Sequence, residues 1–182
     1  TGTPARVTQR DTVVEGPKIY LDQSEEVASV VGAGNLRFVT RRDLSGNRTE
    51  EPRPVDIAWT KGLDYRGRKR VAVFNGGVKL TTAGDSLECR TMRVLLAPRN
   101  DDEEQPATRP APSPDGLRPQ SIGMVLAEDD VRLFSALRDE EDFLLRRVQL
   151  KGDQVGYYTD AGKLTCVGPG SLVIEDYRPP RE

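Results

Sequence analysis

Apolar and polar positions alternate along most of this chain with a period of two. Val55, Ile57 and Trp59 are interleaved with Asp56, Ala58 and Thr60, and Leu63 and Tyr65 keep the same parity. Successive side chains of a strand point to opposite faces, so such a run reads as a strand with one buried face. Glycine-bearing turns punctuate the runs: Arg66-Gly67-Arg68, Ala83-Gly84-Asp85 and Asp160-Ala161-Gly162-Lys163. Between the first two, Val71-Ala72-Val73-Phe74 and Val78-Lys79-Leu80 flank Asn75-Gly76-Gly77. Leu87 and Cys89 stand at odd positions whereas Met92, Val94 and Leu96 stand at even ones, which predicts a β-bulge or bend near Thr91. The last third reads alike, with strands over 144–150, 155–159, 164–167 and 172–174.

The runs also form a repeat. A first copy holds Gly16-Pro17-Lys18-Ile19-Tyr20, Val27 and Gly32-Ala33-Gly34-Asn35-Leu36. A second holds Gly62-Leu63-Asp64-Tyr65, Val71 and Gly76-Gly77-Val78-Lys79-Leu80. A third holds Gly152-Asp153-Gln154-Val155-Gly156-Tyr157, Leu164 and Gly168-Pro169-Gly170-Ser171-Leu172. Gly32, Gly76 and Gly168 align, each with a Tyr upstream and a Leu four positions on. One hairpin cannot bury its own apolar face, so such copies stack and share one core. The predicted fold is all-β, with about 12–16 strands in a two-sheet jellyroll or β-solenoid of stacked hairpin repeats. The aligned glycines are expected at breaks where a strand turns from one sheet to the other.

The pattern fails over 98–119, where Asp101-Asp102-Glu103-Glu104 is followed by Pro106, Pro110, Pro112, Pro114 and Pro119. This reads as a disordered loop, leaving 1–97 and 120–182 as two parts of the same β-structure. A shorter polar loop is expected from Arg41 to Pro54, around Ser45-Gly46-Asn47, and 135–141 reads as a short helical turn or an acidic hairpin tip.

Composition narrows the function classes. Charged residues make up 31% of the 182 and aromatics 5%, which suits a thin β-structure with much exposed surface. The 27 basic and 29 acidic residues are well mixed, unlike the clustered basic footprint of a nucleic-acid binder. The absence of His removes the commonest general base and metal ligand. Cys89 and Cys166 cannot make an ordinary zinc site and read as small buried hydrophobes; a disulfide is the alternative if the repeats stack them together. Gly32-Ala33-Gly34 and Gly168-Pro169-Gly170 lack the third glycine and the following helix of a dinucleotide loop. The acidic runs at 101–104 and 139–142 lack the alternating ligands of a calcium loop. Asp64, Asp85, Glu88 and Asp153 lie beside turns, where Asp is expected for structural reasons. With no constellation of acid, base and nucleophile, no catalytic, metal-binding or cofactor-binding residue and no cofactor is assigned, and the chain reads as a non-enzyme. Asn47-Arg48-Thr49 is a formal glycosylation sequon. No apolar run approaches the roughly 20 residues of a membrane helix, and no signal peptide is visible. The opening Thr1-Gly2-Thr3, without Met, reads as the trimmed end of a longer chain.

The stretch Val55-Asp56-Ile57-Ala58-Trp59, Leu63-Asp64-Tyr65, Arg70 to Leu80 with its Asn75-Gly76-Gly77 break, Asp85-Ser86-Leu87-Glu88-Cys89 and Met92-Arg93-Val94-Leu95-Leu96 resembles the OstA-like domain of lipopolysaccharide transport. The segment 155–174 resembles a second copy and 19–38 a weaker one, together covering about half the chain. The resemblance implies an open β-jellyroll, a "taco" of two facing antiparallel sheets in the periplasm. It also implies a groove between the sheets that holds the acyl chains of lipopolysaccharide, and edge-strand pairing with like β-jellyroll domains into a bridge.

On this reading the chain binds acyl chains of lipopolysaccharide or a related lipid, as part of envelope lipid transport and outer-membrane biogenesis. The expected groove residues are Trp59, Tyr65, Phe74, Leu80, Leu172 and Ile174, with Arg68, Lys69 and Arg70 at the rim for phosphates. Acyl chains leaving water for such a groove gain about 0.8 kcal/mol per buried CH₂. The alternative is a structural or adhesive extracellular β-solenoid with a filled core and no ligand; a third is a lyase-type enzyme on a β-solenoid. Both a groove and a filled core need inward apolar residues on alternating strands, so periodicity alone does not separate them.

Overall fold

The computed structural model describes residues 4–9, 11–42, 48–97, 122–139, 143–159 and 161–177. The prolines and acids expected in a loop over 98–119, residues 43–47 of the short polar loop and 140–142 of the acidic run lie outside the described residues, while 41–42 and 48–54, expected in that polar loop, are strand and lie in one antiparallel hairpin.

The strands are β1 Ala5–Gln9, β2 Thr12–Gly16, β3 Lys18–Asp22, β4 Val27–Val31, β5 Gly34–Arg42, β6 Arg48–Trp59 and β7 Gly62–Arg66. Then follow β8 Val71–Thr81, β9 Asp85–Leu96, β10 Ile122–Arg138, β11 Leu144–Tyr158, β12 Lys163–Val167 and β13 Ser171–Asp176. The only helical element among the described residues is a 3-10 turn at Gly67–Lys69. All strand pairs are antiparallel, and they form one 13-stranded sheet that does not close into a barrel.

The sheet has two leaves. One runs β3-β4-β7-β8-β9-β10-β11-β12 and uses the 71–75, 91–96, 122–128 and 154–158 stretches of the long strands. The other runs β1-β2-β5-β6-β8-β9-β10-β11-β13 and uses their opposite halves. Each long strand passes from one leaf to the other at a register shift: Asn75/Val78 in β8 and Glu128/Val131 in β10, with Arg90 as the unpaired residue of β9. This is the bend that the parity switch near Thr91 predicts. Where the passage is a break instead, it falls between β2 and β3, β4 and β5, β6 and β7, and β12 and β13.

Gly32, Gly76 and Gly168 all stand at these corners, with φ of 90°, 80° and 92°. At Gly76 the requirement is double: the positive φ disfavours an L side chain, and a Cβ would run into the Lys61 side chain. Neighbouring corners are laced together. Lys61 N–H donates to Asn75 O at 3.0 Å, Thr60 N–H to Gly76 O at 2.7 Å, and Gly32 N–H to Lys61 O at 2.8 Å.

One hydrophobic cluster lies between the leaves. Val55, Ile57, Leu80, Leu87 and Leu150 come from the second leaf, and Val30, Leu63, Phe74, Met92 and Val155 from the first. Full burial of one such side chain is worth about 1.5–3 kcal/mol, so this cluster is what holds the leaves face to face.

Several expectations change. Cys89 is buried, but Cys166 is exposed on β12, and the two do not form a disulfide. The segment from Ser135 continues as strand up to Arg138, so it forms part of a hairpin and not a helical turn. Tyr65 and Tyr157 face inward, paired with Ala72 and Leu164, but Tyr20 pairs with Ser29 on the outer face. Tyr20 stands one residue further from its aligned glycine than the other two tyrosines do, and one residue flips a strand side chain to the opposite face.

Candidate functional site

The inner faces of the two leaves define the candidate site, and its middle is packed shut. Trp59 is 2% exposed and Phe74 1%, with ring centroids 5.4 Å apart and planes inclined by 55°. Leu80, Val78, Met92 and Val131 are buried in the same cluster. Trp59 is held at its corner by backbone geometry. Its Nε1–H donates to Gly32 O at 3.1 Å, and its ring lies so close to Gly34 that a Cβ there would meet Cζ2 at 2.5 Å.

Both ends differ from the middle. At the N-terminal end a cavity of about 270 Å³ opens between β1 of one leaf and β3, β4 and β7 of the other. Val7, Leu21, Ala28 and Tyr65 give it an apolar lining, joined by Asp22 and Glu26. Ser24 Oγ–H donates to Asp22 Oδ1 at 2.6 Å, and this bond, with those from the backbone N–H groups of Glu25 and Ser24, holds the carboxyl below its ordinary range.

At the C-terminal end, β12 and β13 pair only with β11. Leu172 stands opposite the buried Leu150, and Ile174 opposite Val148, so both face inward. They are nevertheless 58% and 51% exposed, because no further strand among the described residues covers them. Leu164 and Cys166 of β12 share that position, opposite Tyr157 and Val155.

The six expected groove residues therefore occupy three places. Trp59, Phe74 and Leu80 meet in the packed middle, Tyr65 lines the N-terminal cavity, and Leu172 and Ile174 lie at the open C-terminal end. Leu21, Ala28, Leu164 and Cys166 belong to the same inner face and were not singled out. For Leu164 and Cys166 the signal lies in their pairing with the parity of Tyr157, whereas Leu21 stands next to the outward Tyr20, so the aligned tyrosine of the first copy points the wrong way.

The cations expected at a rim sit at the β7–β8 tip. Arg68 pairs with Glu25 at 3.0 Å and also donates to Ser24 O at 3.0 Å. Arg70 adopts φ 52° as the cap of the 3-10 turn, with its N–H bonded to Gly67 O.

The scattered carboxylates stay scattered. Asp64 faces outward on the first leaf, Glu88 pairs with Lys79 at 2.9 Å on the second, and Asp153 abuts the corner at Gly168. Among the described residues no group of three or more His, Cys, Asp or Glu side chains is placed to hold a metal ion. Burial pushes the Cys89 thiol up to about 12, which keeps it protonated and unreactive. No helix of the described residues is long and apolar enough to cross a membrane. No protein-family model and no curated protein matches this sequence.

Proposed function

We propose that this chain is a lipid-binding module of the cell envelope, an open jellyroll of the OstA-like kind that takes up acyl chains between its two leaves. One observation carries the reading: the buried part of the inner faces is apolar, yet among the described residues both ends of the space between them lie open, with Leu172 and Ile174 exposed at one end and a cavity beside Tyr65 at the other. A self-sufficient stacked β-structure needs polar caps at its ends, and the described residues place none over Leu172 and Ile174. Acyl chains of lipopolysaccharide or a related lipid, and like domains added to the free edges of β1, β3, β12 and β13, would cover these surfaces. On this reading the protein works in the periplasm.

The test is photo-crosslinking of the purified chain to lipopolysaccharide. Crosslinkers at Leu172 and Tyr65 are expected to capture acylated lipid, while one at the outward Lys79 captures none. Equal capture at all three, or capture at none, would rule the reading out.

A second reading rests on the packed middle. Trp59, Phe74 and Met92 leave no open channel through the core, which favours a structural module whose ends meet only copies of itself. That reading predicts protein–protein crosslinks at Leu172 and no lipid adduct.

A further inference from the structure

Both outer faces mix ion pairs with apolar side chains, but they arrange them differently. On the leaf that ends in β13, Arg37 pairs with Asp56 at 2.7 Å, Lys79 with Glu88 at 2.9 Å, Arg6 with Glu15 at 3.4 Å, and Arg147 with Glu175, and the exposed Val39, Phe134 and Val173 are dispersed among them; on the other leaf Arg93 pairs with Glu128 at 3.4 Å. On the leaf that ends in β12, the outermost row of side chains in register runs Val27, Arg66, Val71, Leu95, Met124 and Tyr158. Each lies on the opposite face from the buried Leu63, Phe74, Met92 and Val125. Leu95 is 38% exposed and Tyr158 39%. Strands lie about 4.8 Å apart, so this row is an apolar stripe of about 24 Å, broken only by an arginine.

The stripe ends at the hairpin tips, and the β7–β8 tip carries Arg66, Arg68, Lys69 and Arg70 within five positions. Its backbone is fixed: Gly67 N–H donates to Glu26 O at 2.7 Å, Arg70 N–H to Gly67 O at 2.9 Å, and Leu96 N–H to Arg70 O at 2.9 Å. Arg68 is occupied by Glu25, the Asp22 carboxylate by Ser24 and Glu25, and the Glu26 carboxylate lies against Gly67 of the same tip, so four cations there face three acids. Among the described residues, Arg66, Lys69 and Arg70 have no carboxylate partner, nor does Lys163, the next residue of the row beyond Tyr158.

We propose that this outer face, stripe and tip together, docks on an anionic membrane surface. Aliphatic and tyrosine side chains beside a cluster of unpaired cations match the interfacial layer of a bilayer, where the chains enter the acyl boundary and the cations meet phosphates. The row is held by main-chain bonds between neighbouring strands, which suits an extended surface more than a small ligand. The site lies outside the inter-leaf space, so it stands whether or not acyl chains bind there.

The test is flotation of the full chain with phosphatidylcholine vesicles, with and without phosphatidylglycerol. Binding is expected only with the anionic lipid and is expected to weaken as salt is raised. Each cation near the surface contributes about fivefold, so Arg66→Gln, Lys69→Gln and Arg70→Asn together should lower affinity about a hundredfold. Asn at position 70 suits the left-handed backbone there. Leu95→Ser with Tyr158→Ser should also weaken binding, whereas Lys151→Gln on the other leaf should not. Unchanged melting temperatures would show that the variants are folded. Equal binding to neutral vesicles, no binding at all, or full binding by the folded triple variant would overturn the proposal. So would a dimer broken by Leu95→Ser in the absence of vesicle binding, which would make the stripe an interface between copies.

Discussion

Replacing Trp59 by Phe tests how far the corner geometry carries the fold. Two losses follow. The Nε1–H bond to Gly32 O disappears, at about 1 kcal/mol. The phenyl ring also fails to fill the space of the indole against Gly34 and Phe74, at about 1–2 kcal/mol for the partial cavity. Together they predict a loss of about 2–3 kcal/mol, and Trp59→Ala about 3–5 kcal/mol. For a chain of this size the Phe variant should melt roughly 5–10 °C lower. Urea unfolding followed by far-ultraviolet circular dichroism measures the difference. Fluorescence cannot be used for the comparison, since Trp59 is the only tryptophan. Phe134→Ala serves as the control, because Phe134 projects outward and should cost about 0.5–1 kcal/mol. A Trp59→Phe loss below about 1 kcal/mol, or one equal to the control, would refute the argument that this ring locks adjacent corners.

Two further outcomes are expected. Gly76→Ala should destabilise by about 1–3 kcal/mol through its positive φ and the clash with Lys61, whereas Gly162→Ala, with open space around it, should cost less; thermal melts of both decide this. In native protein a thiol reagent should label Cys166 and spare Cys89, with both labelled in urea, as read by mass spectrometry. Because burial holds the folded Cys89 thiol at about 12, well above an ordinary thiol, the contribution of the protonated thiol is fully present below the ordinary thiol range and is lost as pH rises from there towards 12. Wild type should therefore lose stability more steeply than Cys89→Ala across that window, and parallel curves would contradict the assignment.

Much of this architecture is legible in the residues. Alternation marks which face of each strand is apolar, and the glycines mark where strands turn, since positive φ restricts the choice of residue at Gly32, Gly76 and Gly168. Parity also places Leu36, Leu80 and Leu172 on the same inner face. It does not say how much of that face is covered. Leu80 is buried because β6 and β9 flank it, whereas Leu172 is exposed because β13 is the last strand. Cys166 escaped for the same reason: a small apolar residue at inward parity reads as core, yet it lies on an edge strand. The outward stripe was hidden for another cause. Val71, Leu95, Met124 and Tyr158 are far apart in the chain, and only the register of four strands sets them side by side.

The meander of long bent strands has a consequence for how the protein is made. From β9 to β11 each strand pairs along both its halves with the one before it, β8 pairs with β7 along one half and β6 along the other, and the pairing of β2–β3 with β4–β5 follows the same order. A chain emerging from its N-terminus thus finds each template already assembled, and no strand waits for a distant partner still to be synthesised. Folding can advance as a zipper in step with delivery of the chain, which keeps the slow, exposed states of long-range β-topologies brief.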